Sequence, residues 1–176
     1  MRGYKLFRVK DGKLYPLYVK ANETVPVGVW LEAEAGELAD DGQHVKSKLG
    51  SLAYRPGWHL NDAAPYVEHI GKRGTDGKLH RRKDTVWAEV EYSDSVNYQL
   101  EANAAGNKNG KFIARDACLK RVPTDGYYRY KTNPKMYGDW IIAGAIKVNR
   151  VLSEHEVESI CRANGINAQT FLDNVK

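Results

Sequence analysis

The sequence predicts an α+β fold: one domain over residues 1–176, mostly antiparallel strands with a few short helices and a capped helix near the C-terminus. Three observations predict it. Short β-rich runs joined by Asp-Gly turns fill the first half, an apolar run at 140–148 supplies a strand buried on both faces, and residues 153–165 carry helix start and stop signals. At 176 residues the chain can bury roughly two-thirds of its surface around one core. Its 42% hydrophobic and 28% charged residues exclude a disordered chain.

Residues 4–9 and 13–19 are strand-like and flank Lys10-Asp11-Gly12, which predicts an opening hairpin. Pro16 lacks the N–H a ladder needs, so the second run belongs at an edge or carries a bulge. Residues 27–34 form a third extended candidate. Residues 46–60 are apolar but punctuated by Gly50, Pro56 and Gly57, and run into Asn61-Asp62, a helix N-cap signal. A short helix through Pro65, Val67 and Ile70, closed by Gly71, is expected there.

Residues 72–84 hold an Asp76-Gly77 turn and six Lys or Arg, and read as an exposed basic hairpin tip or loop. In residues 86–92, Val86, Ala88, Val90 and Tyr92 share one face and Trp87, Glu89 and Glu91 the other, the pattern of a half-buried strand. A short helix is expected near 98–104, a flexible basic loop at 106–111 and a strand at 127–131. The run 140–148 reads as one central strand, with Gly144 marking a bulge or the close approach of another backbone. Ser153 and Glu156 form a capping box, Leu152 and Val157 a hydrophobic staple, and Val157, Ile160 and Cys161 an apolar face that Gly165 ends. A second short helix, capped by Asn167 and carrying Phe171 and Leu172, is expected to follow.

Cys118 and Cys161 lie far apart with no metal-ligand spacing nearby, so neither a disulfide framework nor a metal site is expected, and the reducing cytoplasm is the expected location. No apolar run approaches the ~20 residues that span a bilayer, so no membrane partner is expected. A formal charge of +5 favours acidic partners, nucleic acid or phosphate-bearing ligands, although many proteins without such partners are as basic. Walker, Rossmann, H-E-x-x-H and G-x-S-x-G motifs are all absent.

Three features carry candidate chemistry. His59 follows the turn Arg55-Pro56-Gly57-Trp58; glycine lets a ligand approach the backbone, and the imidazole can donate or accept a hydrogen bond at neutral pH. A hydrogen-bonded structural histidine fits the same position. Asp139 precedes the apolar run, where a carboxylate on a rigid strand could stabilise positive charge on a bound sugar; a solvated turn aspartate fits as well. Lys72, Arg73, Arg81, Arg82 and Lys83, with the 106–111 loop and Tyr127, Tyr128 and Tyr130, combine phosphate neutralisation with base stacking, as nucleic-acid sites do. Alternation assigns part of that tyrosine set to the core.

Taken in order, a first strand with Arg8, a Gly57-Trp58-His59-Leu60 turn and strand, the alternating strand at 86–92, and Asp139 before Trp140-Ile-Ile-Ala-Gly resemble the ADP-ribosyltransferase fold across residues 4–148. The resemblance implies NAD as a substrate and ADP-ribosyl transfer to a macromolecular acceptor, nucleic acid among the candidates. It implies that Arg8, Gly57 and Trp58 hold the dinucleotide, that His59 stands where the family places a Ser or Tyr, and that Asp139 replaces the usual Glu. The last two depart from the family pattern, and the shorter acid implies weakened or lost turnover. Small basic α+β domains of this kind are also similar to proteins of phages and mobile elements, for which a non-catalytic module binding nucleic acid or a host protein is the alternative expectation.

Overall fold

The computed structural model describes residues 1–34, 36, 38–42, 44–46, 52–53, 55–66, 72–77, 79–132 and 138–167. The first half contains β1 (Arg2–Lys10), β2 (Lys13–Tyr15), β3 (Trp30–Glu32), β4 (His44–Val45), β5 (Leu52–Ala53), β6 (Trp58–Asn61), β7 (Lys72–Arg73), β8 (Leu79–His80) and β9 (Thr85–Tyr92). The second half contains β10 (Val96–Asn97), α1 (Gln99–Gly106), β11 (Asn107–Lys108), β12 (Lys111–Phe112), a 3-10 turn (Ala114–Asp116), β13 (Gly126–Tyr130), β14 (Trp140–Ala143), β15 (Ala145–Val151) and α2 (Glu154–Ala163). The fold is α+β. One large sheet runs in the order β10-β13-β14-β6-β1-β9-β15-β3, with β2 paired to β1. Its ladders are antiparallel except β10 with β13.

The alternation of β9 sets up its centre. Ala88, Val90 and Tyr92 join Phe7, Leu60, Ile141, Ile146 and Val148 in the main core. The other face of β9 is only partly open to solvent: Glu89 and Glu91 are half-buried, and Trp87 is fully buried with Leu6, Leu17, Leu152, Val157 and Cys161, under α2. That helix starts where the sequence indicates. Ser153 Oγ accepts from Glu156 N at 3.2 Å and Glu156 Oε2 accepts from Ser153 N at 2.8 Å, while Leu152 and Val157 are both buried. A third cluster, Ala102, Val122, Tyr128, Tyr130, Trp140 and Ile142, sits between α1 and the β13–β14 pair.

The run expected to be one central strand is two strands. β14 and β15 are joined through Gly144 alone, yet β6, β1 and β9 lie between them in the sheet. Consecutive Cα atoms are only about 3.8 Å apart, so such a link requires the sheet to roll until its two halves meet. Their seam is hydrogen-bonded: Gly144 N donates to Gly126 O (3.0 Å), Ala33 N to Gly144 O (2.7 Å) and Ser93 Oγ to Gly126 O (2.9 Å). A Cβ on Gly144 would stand 1.9 Å from Pro123 O, the close backbone approach that the sequence suggests there.

Other expectations change with the structure. Asn61 ends β6, and Asp62 pairs with Arg129 instead of capping a helix; residues 62–65 are bends and 67–71 lie outside the described residues. The helix capped by Asn167 also lies outside them. The basic loop at 106–111 is the β11–β12 hairpin. Residues 72–80 do form a small basic hairpin, β7 with β8. No helix among the described residues is long and apolar enough to cross a membrane.

Candidate functional site

Strands β1 and β6 share a ladder only one pair deep, Tyr4 with Asn61. Beyond it, a cavity of about 550 Å³ is lined by residues from β1, β3 and β6, by the 16–25 segment and by Tyr130 and Trp140. Lys5, next along β1, reaches across the gap, and its Nζ donates to His59 O at 2.8 Å. The same Nζ lies 5.5 Å from the centre of the Trp58 ring and 5.8 Å from that of Phe7. Among the described residues no carboxylate forms an ion pair with it, and burial pushes its pKa down to about 8.

His59 lines the same cavity. Its ring meets Trp140 edge-on, with centroids 6.1 Å apart, and Nδ1 lies 3.1 Å from Gly57 O. Burial first, then the nearby Lys5 charge, lowers its pKa to about 4, so the imidazole is neutral at pH 7. In that state Nδ1–H donates to Gly57 O, and Nε2 is the acceptor. Gly57 has φ +127°, and a Cβ there would approach Ile142 Cγ2 to 2.4 Å. Only glycine serves this turn, and the constraint is the packing of the turn on β14. Trp58 Nε1 donates to Leu31 O at 3.1 Å, tying β6 to β3 across the cavity wall.

Arg55 brings a second cation to the cavity. Its guanidinium lies 4.6 Å from the Tyr130 ring centre, and Nη2 donates to Arg115 O at 3.4 Å. Its Nε is buried without a hydrogen-bond partner among the described residues. Glu23, Glu32 and Glu34 also line the cavity, and Lys20 pairs with Glu23 and Glu34. Aromatic and apolar walls with a few convergent polar groups are the usual make-up of a small-molecule site, and the volume falls in the typical range of roughly 300–1,000 Å³.

Gly57, Trp58 and His59 therefore meet in one cavity, while Arg8 and Asp139 are placed elsewhere. Arg8 Nε donates to Pro16 O at 3.2 Å and Nη2 to Ala21 O, so this side chain pins the segment that walls the cavity. Asp139 lies 3.7 Å from Arg129 Nη1 and 3.8 Å from Lys131 Nζ, next to the cavity-lining Trp140 but outside the lining. The expected basic surface is also reduced. Arg81 is fully buried, with Nη2 2.6 Å from Glu154 Oε1 beneath α2, so it cannot meet nucleic acid. Arg82 is half-buried, Arg73 and Lys83 are exposed, and Lys72 lies on β7.

Lys5 and Arg55 are the residues that sequence reasoning missed. Lys5 shares the inward face of β1 with Phe7, and a lysine in register with core positions was the available signal. Nothing in the sequence marks Arg55, because its place depends on where Tyr130 arrives from β13. No family model, curated protein or solved structure matches the chain.

Proposed function

We propose that this protein binds a small organic ligand in the β1–β6 cavity, one that joins a flat ring to an acidic group. One observation carries the reading: the Lys5 ammonium, which donates to a carbonyl and has no carboxylate ion pair among the described residues, lies beside the Trp58 and Phe7 rings, and Lys5 and Arg55 line the same cavity. A desolvated cation without a countercharge is costly, and a ligand anion supplies the missing charge. The aromatic walls supply apolar and stacking contact for the ring. Neutral His59 contributes an acceptor at Nε2, and it would gain a proton more readily once the anion is bound.

NAD joins planar rings to an anionic pyrophosphate and is the first ligand to try. ADP-ribosyl transfer from NAD to a macromolecular acceptor is the second reading, supported by Gly57, Trp58 and His59 lining the same cavity. It requires Asp139 to leave Arg129 and Lys131 and act beside Trp140. Thermal unfolding with NAD, ADP-ribose and benzoate tests both. A ligand at 100 times its dissociation constant stabilises the native state by about 2.7 kcal/mol. Shifts lost in Arg55→Leu support the cavity reading, and NAD turnover lost in Asp139→Asn supports the transferase reading. Unshifted melting with all three ligands would sink the first, and NAD left unconsumed by the wild-type chain would sink the second.

A further inference from the structure

From the placement of its amine, we infer that Lys5 captures carbonyl compounds, condensing with the aldehyde or keto group of an acidic ligand in this cavity to form an imine. The inference rests on the cavity being a ligand site and adds the class of ligand: an aromatic aldehyde acid or a 2-oxo acid. Its geometry has three parts. Lys5 lines the cavity beside the single-pair β1–β6 ladder, with Nζ 5.5 Å from the ring of Trp58, another lining residue; the His59 carbonyl fixes Nζ at 2.8 Å; and Arg55 lines the same cavity and is the group to take the ligand carboxylate. In the neutral amine one N–H stays on His59 O, which directs the nitrogen lone pair away from that carbonyl.

The step balances without a redox partner. The lone pair attacks the carbonyl carbon, forming C–N while the C=O π pair moves to oxygen, and a proton passes from nitrogen to that oxygen. The carbinolamine then loses hydroxide, protonated as water, as C=N forms. The sum is amine plus carbonyl to imine plus water. A nucleophilic lysine must be neutral, and desolvation in an apolar pocket is the usual means. With its pKa held near 8 instead of 10.5, Lys5 has a free-base fraction at pH 7 about 300-fold that of an exposed lysine.

The experiment uses the full chain with 4-formylbenzoate and cyanoborohydride, which converts any imine into a stable secondary amine. Intact mass and peptide mapping then locate the adduct. One adduct on Lys5, forming before any other lysine is labelled and rising with pH about a midpoint near 8, is the expected result. Labelling spread over exposed lysines, or a Lys5 profile that rises only near pH 10.5, would overturn the inference. Lys5→Arg keeps the charge and removes the nucleophile, so it should abolish the adduct; the same adduct yield in that variant would overturn the inference. A benzoate shift in the wild-type chain without an adduct overturns the imine and leaves the cavity reading standing, whereas the absence of the adduct and of a shift with NAD, ADP-ribose and benzoate alike overturns both.

Discussion

Arg81 and Lys5 are both cations taken out of water, and the two sides of the sheet treat them differently. Under α2, Arg81 meets Glu154 at 2.6 Å and the surroundings close over it. At the β1–β6 gap, Lys5 meets a backbone carbonyl and two aromatic rings but, among the described residues, no carboxylate, and it lines an open cavity. A buried charge with a countercharge behaves as structure, while one without it stands where a ligand can supply the complement.

The comparison breaks most visibly on the Arg81 side. Glu154→Ala removes a carboxylate from a buried guanidinium, and we expect a loss of about 3 kcal/mol in denaturant unfolding, the low end for a buried pair because Glu154 is 58% exposed. A loss under 0.5 kcal/mol would mean that Arg81 does not depend on the pair. The next largest effect is acid sensitivity. As pH falls, His59 takes up a proton near pH 6.5 in the unfolded chain but only near pH 4 in the native one. Its contribution to stability is therefore present above 6.5 and lost as pH falls through 4, on the order of 2 kcal/mol after allowance for partial exposure. A His59→Asn variant should show a flatter stability profile over that window; an unchanged profile would show that His59 is not buried as described.

Lys5→Met should move stability in the opposite direction from Glu154→Ala, raising it by about 1 kcal/mol at pH 7 because an uncompensated cation leaves the interior. The gain should vanish as pH rises from about 8 to 10.5, where the native amine of the wild type has already lost its proton. Loss of stability at pH 7 would place Lys5 with Arg81 as a structural cation. The smallest effect is Ser153→Ala, roughly 0.5–1 kcal/mol from the lost cap. It sharpens the contrast by loosening only the turn of α2 that carries Glu154.

Local signals were the legible ones. The β1–β2 turn, the β9 alternation and the capping box all follow from residues within a few positions of each other, and sequence displays such patterns directly. The partition of residues 140–148 into β14 and β15 was not legible, because an apolar run is the same whether it stays in one place or crosses a rolled sheet. The exposure of Arg81 was misread for a related reason: its countercharge arrives from 73 residues away. His59, Gly57 and Trp58 could be found from their turn, but Lys5, 54 positions away, joins His59 only through the splaying of two strands.

The single-residue link at Gly144 also governs how the molecule can breathe. With β14 and β15 fastened end to end, the halves of the roll cannot gape at that end unless a whole ladder unzips, so opening there is a global event. Amides of β14 and β15 should then exchange with solvent together and among the slowest, as one cooperative unit. The 16–25 segment, which walls the cavity, is tied to the sheet by contacts that include the Arg8 guanidinium and the bridge from Val25 to Leu14. Arg8 thus fastens one wall of the cavity to the strand that carries Lys5, so the two hold a fixed relation while the Gly144 seam holds the far end of the roll.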